Sequence, residues 1–378
     1  MVRFLHTADW QIGMTRHFLD GDAQPRYTGA RLDVIRSITR VAEERNCEFI
    51  VVCGDVFEHN QLDRRVVVRT LDALSSSTMP VYLLPGNHDT LEHGSIYHSP
   101  TFKENLPDQI HVIDSSTPIK VSENVELVGA PWRSKRPLSD LLKESLQDLS
   151  PSTEVVRILA GHGITDELSP DPDNPALISV VDLESNITQG VVQYVALGDR
   201  HSVTSVGKSG RIRYSGTPEP TRFDESDPGS VLVVDIDSEE CSVDPVKVGT
   251  WRFLDKHFDI TGTDDLDAIE SWLHEQPNKD RTIIRLSLEG TINIRQKARL
   301  DSILMNFSDL YAAIQEWDRH TKLAILADDH DFTDMNLTGY LDDAVEELKN
   351  ILDQGGADRK EDARNALALL YRLAGEPE

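Results

Sequence analysis

The chain opens on an apolar run, residues 2–7, that stops at Asp9-Trp10-Gln11, and the same arrangement returns four more times. Apolar runs at 49–53, 81–84, 155–160 and 194–197 lead into Gly54-Asp55-Val56-Phe57-Glu58, Gly86-Asn87-His88-Asp89, Gly161-His162 and Gly198-Asp199-Arg200-His201. Short apolar runs closed by glycine and polar residues read as buried strands. Five such strands ending at one sheet edge would bring their polar tips to a single point. Between them, Leu32, Ile35, Ile38, Val41 and Ala42 recur at helical spacing and predict a helix over 28–46, with a shorter one over 66–75. This alternation over the first 250 residues predicts an α/β layered domain. Beyond Val125 the pattern is richer in strands, with a hairpin of 203–206 and 211–214 across Gly207-Lys208-Ser209-Gly210, then an apolar strand at 230–236. Two α/β halves feeding one edge predict a four-layer α/β/β/α sandwich.

From 251 to 337 the pattern restarts as a small α/β unit, with strands predicted at 254–260, 282–288 and 322–326 and helices at 266–274 and 294–305. Residues 310–317 fit either period. Asp328-Asp329-His330-Asp331 reads as a solvated turn rather than a ligand run. From 338 to 378 the chain predicts two amphipathic helices, 340–352 and 362–373, joined by Gly355-Gly356. Such a pair either docks on its own domain or is offered to a partner's groove, and the pattern leaves both open.

Composition narrows the class. A chain of 378 residues has room for two or three domains. Its three cysteines, Cys47, Cys53 and Cys241, lack C-x-x-C spacing, which excludes a disulfide framework and a thiolate zinc site. The first run is too short for a signal peptide and no run is long enough to cross a bilayer, so a cytoplasmic protein with no membrane contact is expected. A net charge of −27, from 65 acidic and 38 basic residues, argues against holding nucleic acid by bulk electrostatics. Local groups such as Arg64, Arg65 and Arg69, or Arg133, Lys135 and Arg136, offer phosphate contacts or are simply solvated surface charges, and the pattern leaves both open.

The five polar tips supply carboxylate, amide and imidazole donors together: Asp9, Gln11, Asp55, Asn87, His162, Asp199 and His201. Two cations held roughly 3.5–4 Å apart by such a set can orient a water in line with a phosphorus and neutralise the charge that develops. The mixture suits Mn²⁺ or Fe²⁺ better than Mg²⁺. Glycines at 54, 86, 161 and 198 precede donors where the chain must turn or approach closely. His88, between Asn87 and Asp89, is expected to face a substrate and act in catalysis, with Glu58 hydrogen-bonded to it and fixing its tautomer.

With these residues in view, the chain resembles the calcineurin-like metallophosphoesterases, and among them the nuclease subunits of SbcCD-type complexes and their archaeal and eukaryotic double-strand-break repair relatives. Phe4-Leu5-His6-Thr7-Ala8-Asp9-Trp10, Gly54-Asp55-Val56-Phe57 and Leu84-Pro85-Gly86-Asn87-His88-Asp89 carry the likeness. Tyr214-Ser215-Gly216-Thr217-Pro218 with Arg222-Phe223 extends it. The resemblance implies a nuclease domain over 1–250, a capping domain over 251–337 and a partner-binding helical segment over 338–378. It implies two divalent cations, usually Mn²⁺, one held by Asp9, Gln11, Asp55 and His201 and the other by Asp55, Asn87, His162 and Asp199. His88 would assist phosphodiester cleavage. DNA as substrate, an SbcC-like ATPase as partner and a homodimer are also implied, with residues 66–75 a candidate contributor to the dimer.

Two positions depart from the family pattern. Asp-x-His is usual where this chain has Asp9-Trp10-Gln11, and Gly-His-x-His where it has Gly198-Asp199-Arg200-His201. Asp199 keeps an anionic donor, whereas Gln11 is neutral and weaker. A phosphodiesterase for a small molecule and a low-activity scaffold are the competing readings.

Overall fold

The computed structural model describes residues 1–317, 319–326, 339–354 and 356–374. The run Asp328-Asp329-His330-Asp331 and Gly355 lie outside the described residues. Two compact units are present, Met1–His17 with Gln24–Trp251, and Phe18–Ala23 with Arg252–Glu378.

In the first unit, β1 (Val2–Thr7), β2 (Ile50–Cys53), β3 (Val81–Leu84) and β4 (Ile110–Val112) run parallel in one sheet. A second sheet takes β5 (Ile119–Ser122), β6 (Val125–Gly129), β7 (Val156–His162), β8 (Tyr194–Gly198), β9 (Thr204–Val206) and β10 (Ile212–Tyr214). The chain then returns with β11 (Ser230–Ile236) and β12 (Cys241–Lys247), giving orders β12-β11-β1-β2-β3-β4 and β5-β6-β7-β8-β10-β9. The five donor-bearing strands are therefore divided, three in one sheet and two in the other, rather than sharing a single sheet edge.

Neighbouring side chains of a strand point to opposite faces, and all four residues of β2 are buried. Val51 faces inward with Phe4 and Leu84 against Leu127, Ala160 and Tyr194 of the second sheet. Val52 faces outward, with Leu5 and Leu83, against Ile35 and Ile38 of α1 (Ala23–Glu44) and Leu71 of α2 (Arg64–Leu74). Helix α3 (Pro100–Asn105) adds Phe102 to that layer. The second sheet's outer face, with Leu159, Val195 and Leu197, packs on Leu142 of α4 (Leu141–Leu146) and Leu183 of α5 (Val180–Thr188). Helix, sheet, sheet and helix thus stack in four layers. Each fully buried Leu, Ile or Val contributes about 1.5–3 kcal/mol, so both faces of β2 hold the layers together.

Helix α1 begins at Ala23, five residues before the start expected from the sequence at 28. Pro25 sits in its first turn, where a missing N–H costs no intrahelical bond. Asp63 caps α2 by accepting from Arg65 N–H at 2.8 Å.

In the second unit, β13 (Arg252–Ile260), β14 (Thr282–Asn293), β15 (Ala313–Glu316) and β16 (Lys322–Leu326) pair in parallel around β14. The ambiguous segment at 310–317 thus contains a strand. Helices α6 (Thr263–Glu275) and α7 (Ile294–Ser308) cover this sheet through Leu266, Ile269, Leu300 and Ile303. The tail helices, α8 (Tyr340–Gln354) and α9 (Ala357–Ala374), place Val345 and Leu367 against Ile294 of α7. Their apolar stripe is therefore used at least in part within the unit, while Tyr340, Leu341 and Leu369 stay exposed. Among the described residues, no helix is long and apolar enough to cross a membrane.

Candidate metal centre

The exits of β1 and β2 are zipped together by main-chain hydrogen bonds. Asp9 N–H donates to Gly54 O at 3.1 Å, Gln11 N–H to Asp55 O at 2.8 Å and Ile12 N–H to Val56 O at 2.9 Å. Asp9, Gln11 and Asp55 all hold positive φ, at 55°, 43° and 53°, and Asp199 does so at 95°. Left-handed backbone is costly for residues with a Cβ. Four such residues at one place mean that the surrounding bonds impose the geometry.

Glycine lets the two sheets close over this point. A Cβ on Gly54 would stand 2.0 Å from His162 Nδ1, and one on Gly198 would stand 1.9 Å from Cys53 O. Gly161 has another role: it lies inside β7, where a Cβ would strike Leu142. His162 is likewise the last residue of that strand, paired with Gly198, and not part of a loop.

Asp9, Asp55 and His162 bring donor atoms within 4.8 Å of one another, and all three are buried. His162 Nδ1 donates to Cys53 O at 2.9 Å, leaving Nε2 facing Asp55 Oδ1 at 3.4 Å and Asp199 Oδ1 at 3.7 Å. Asn87 Oδ1 stands 2.8 Å from His162 Nε2 and 3.1 Å from both Asp55 carboxylate oxygens. With Nε2 unprotonated that oxygen faces three acceptors, and a cation among them or a turned amide whose Nδ2 donates would satisfy it; without a cation, a proton on His162 Nε2 does so. Asp199 N–H donates to both Asp9 carboxylate oxygens at 3.1 Å. His201 Nε2 is 4.0 Å from Asp9 Oδ1 and 3.4 Å from Gln11 Nε2, and buried Gln11 Oε1 has no hydrogen-bond partner. All seven predicted donors therefore gather at one place.

The electrostatics fit cations. Burial raises the Asp9 carboxyl to about 7; Asp55 and Asp199 add to the rise, and His201 and His162 oppose it. Burial works against a charge on His162, but Asp55, Asp9 and Asp199 outweigh it and raise the imidazole to about 9. Without cations this cluster retains protons, and a divalent ion among the same oxygens would displace them.

His88 lies at the opening. Its N–H donates to Asp55 Oδ1 at 2.9 Å, and its Nε2 is 3.9 Å from Asp55 Oδ2. Its Nδ1–H donates to the Glu58 main-chain carbonyl at 2.8 Å; the Glu58 carboxylate, expected to fill that role, is 4.0 Å away. A cavity of about 540 Å³ extends from here, lined by Gln11, Asp55, His88, Asp199 and His201, with Arg16, Arg200 and Arg222 around it.

Several supporting residues carry no clear signal in the sequence. Asp89, fully buried, accepts from Phe57 N–H, Gly86 N–H and Tyr97 Oη at 3.0, 2.7 and 2.7 Å and so ties two donor loops together. Burial raises its carboxyl to about 6, Asp55 adds to this, and the three donors oppose it. Trp132 Nε1 donates to His162 O at 2.7 Å. Glu225 and Thr221 contact His201 Nδ1 at 2.8 and 2.7 Å. The adjacency of Asp89 to Asn87-His88 is a visible hint, but Glu225 sits in an ordinary polar run that gives none.

The calcineurin-like phosphoesterase family profile matches residues 2–201, ending on the last of these donors. The chain is 26% identical over 337 residues to the SbcD subunit of nuclease SbcCD from Bacillus subtilis (strain 168), covering 78% of this chain and 83% of that one. It is 24% identical over 243 residues to the DNA double-strand break repair protein Mre11 of Archaeoglobus fulgidus, covering 59% of this chain. The match spans about half (51%) of the archaeal protein's length. A dimetal phosphatase from Danio rerio superposes with a TM-score of 0.42 at 15% identity, over 65% of this chain and 96% of that one. A buried carboxylate–imidazole cluster built by strand exits, inside a match covering more than half of the residues, gives the identification: the chain belongs to the calcineurin-like phosphoesterases, hydrolases that depend on two divalent metal ions.

Proposed function

We propose that this chain is a DNA phosphodiesterase that works with an SbcC-like ATPase in double-strand-break repair, as exonuclease, endonuclease or both. The observation that carries the reading is the convergence of seven donors from both sheets beside His88, in a chain similar to a nuclease subunit and to a DNA double-strand break repair protein. In this reading Asp9, Gln11, Asp55 and His201 hold one cation. Asp55, Asn87, His162 and Asp199 hold the other, with Asp55 shared. The donor mixture favours Mn²⁺.

When bound, the cations supply Lewis acidity toward the attacking water and the phosphoryl oxygens. The chain's own residues do the remainder. The main-chain carbonyl of Glu58 accepts from His88 Nδ1–H, which leaves Nε2 directed at the cavity, where, as the imidazolium with a second proton on Nε2, it can stabilise a phosphoryl oxygen or protonate the leaving oxygen. Arg16, Arg200 and Arg222 offset the acidic cluster for an incoming polyanion. Tyr340, Leu341 and Leu369, exposed on the tail helices, are apolar side chains among the described residues that the ATPase would meet. A homodimer and a cytoplasmic location belong to the same reading.

The test is hydrolysis of bis-p-nitrophenyl phosphate and of linear duplex DNA by the purified protein with MnCl₂, with EDTA and Asp55→Ala as controls. Both substrates should be cleaved, and each control should remove at least about 10³-fold of the rate, the scale of losing a principal electrostatic element of a site. Cleavage of the small diester alone, even with the ATPase added, would replace DNA by a small-molecule substrate. Cleavage of neither would leave a scaffold.

A further inference from the structure

We infer that Glu225 is a positioning residue that makes His201 a competent metal ligand; this rests on the two-cation reading above. The Glu225 side chain is 2% exposed, and its Oε1 accepts from His201 Nδ1–H at 2.8 Å. Its remaining capacity is taken up locally. Thr221 N–H donates to Oε2 at 2.9 Å, and the Thr221 hydroxyl donates to Oε1 while standing 2.7 Å from His201 Nδ1. With the proton fixed on Nδ1, the lone pair of Nε2 is directed toward Asp9 and Gln11. A carboxylate behind an imidazole also raises its basicity and fixes the ring plane.

His162 meets the same requirement in a different way, through the main-chain carbonyl of Cys53 and no carboxylate. The asymmetry coincides with the weak donor. The cation assigned to His201 also relies on Gln11, a neutral amide whose Oε1 is buried without a partner. Glu225 compensates on the imidazole for what an amide gives up at position 11.

Manganese titration followed by the electron paramagnetic resonance of free Mn²⁺ tests this. The wild type should bind two equivalents. Glu225→Gln removes the charge at nearly constant shape, so one equivalent should keep its affinity and the other should weaken by about 10–100-fold. If that variant does not fold, Glu225→Asp, which withdraws the charge by one methylene, should weaken the same single equivalent by less. Equal weakening of both equivalents, or no change in either, overturns the role of Glu225. A wild type that binds no Mn²⁺ sinks the two-cation reading and the inference with it.

Discussion

His162 and His201 reach one acidic cluster from opposite kinds of support. His162 closes a buried strand and leans on a main-chain carbonyl of the facing sheet. His201 lies beyond β8 in a loop and leans on the carboxylate of Glu225. Burial works against charge in both. In His162 it is outweighed by Asp55, Asp9 and Asp199, and in His201 by the Glu225 hydrogen bond and Asp9. The acidic cluster therefore sets the charge state of His162, Glu225 and Asp9 together set that of His201, and local support sets the aim of both rings. One half of the site is fixed by the sandwich, and the other by a loop and the hydrogen bonds behind it.

The largest expected effect spares both halves. His88 touches the cluster only through its N–H and a 3.9 Å approach to Asp55 Oδ2. Replacing it by Gln should lower turnover by about 10²–10⁴-fold, the usual weight of a general acid. Bound Mn²⁺, measured by elemental analysis, should stay at two equivalents. Loss of an equivalent would make His88 a ligand and remove the division between metal-facing and substrate-facing residues.

That division is only partly legible in the sequence. The apolar runs ending in Asp9, Asp55, Asn87, His162 and Asp199 locate the donors, because a buried strand must be apolar up to the point where it delivers a polar group. The same logic does not say that β1, β2 and β3 belong to one sheet and β7 and β8 to another, since period-two patterning carries no partner information. Strand β12 escapes because it is an edge strand, mostly exposed and carrying Pro245, so its pattern is polar. β14 is legible only to 288, since Glu289-Gly290-Thr291 interrupt the apolar run while the backbone continues to pair with β16. Glu225 is invisible because its burial is created by the loop that folds it onto His201.

A third histidine sharpens the comparison by removing the carboxylates. His6 is as buried as His162, but its ring meets Leu197 O at 3.1 Å and Tyr194 Oη at 3.3 Å. Burial lowers it to about 3, and the bond to Leu197 opposes this only weakly. Equal burial thus drives two imidazoles in opposite directions according to the charges nearby. The sign for stability follows. The folded value lies below the unfolded one, so His6 costs nothing above about pH 6.5 and destabilises increasingly as pH falls toward 3. Urea denaturation of metal-free protein at pH 7 and pH 5 should show His6→Gln losing about 2 kcal/mol less than wild type over that interval. Parallel losses would mean that His6 does not stay neutral.

The smallest expected change would bring the two halves closer together. Gln11 has 4% exposure and a φ of 43°, a left-handed conformation that histidine adopts more readily than most residues. Its side-chain nitrogen already stands 3.4 Å from His201 Nε2, so an imidazole at position 11 would place a ring nitrogen at the same end of the cluster. If the amide is what weakens this half, Gln11→His should tighten the weaker Mn²⁺ equivalent on the order of tenfold, or 1.4 kcal/mol. The stronger equivalent, on the His162 side, should not move, because its donors come from other strand exits. Should both tighten together, the two cations would not be separable into halves. Should neither move, Gln11 would not be a ligand, and Glu225 would have no weak donor to compensate.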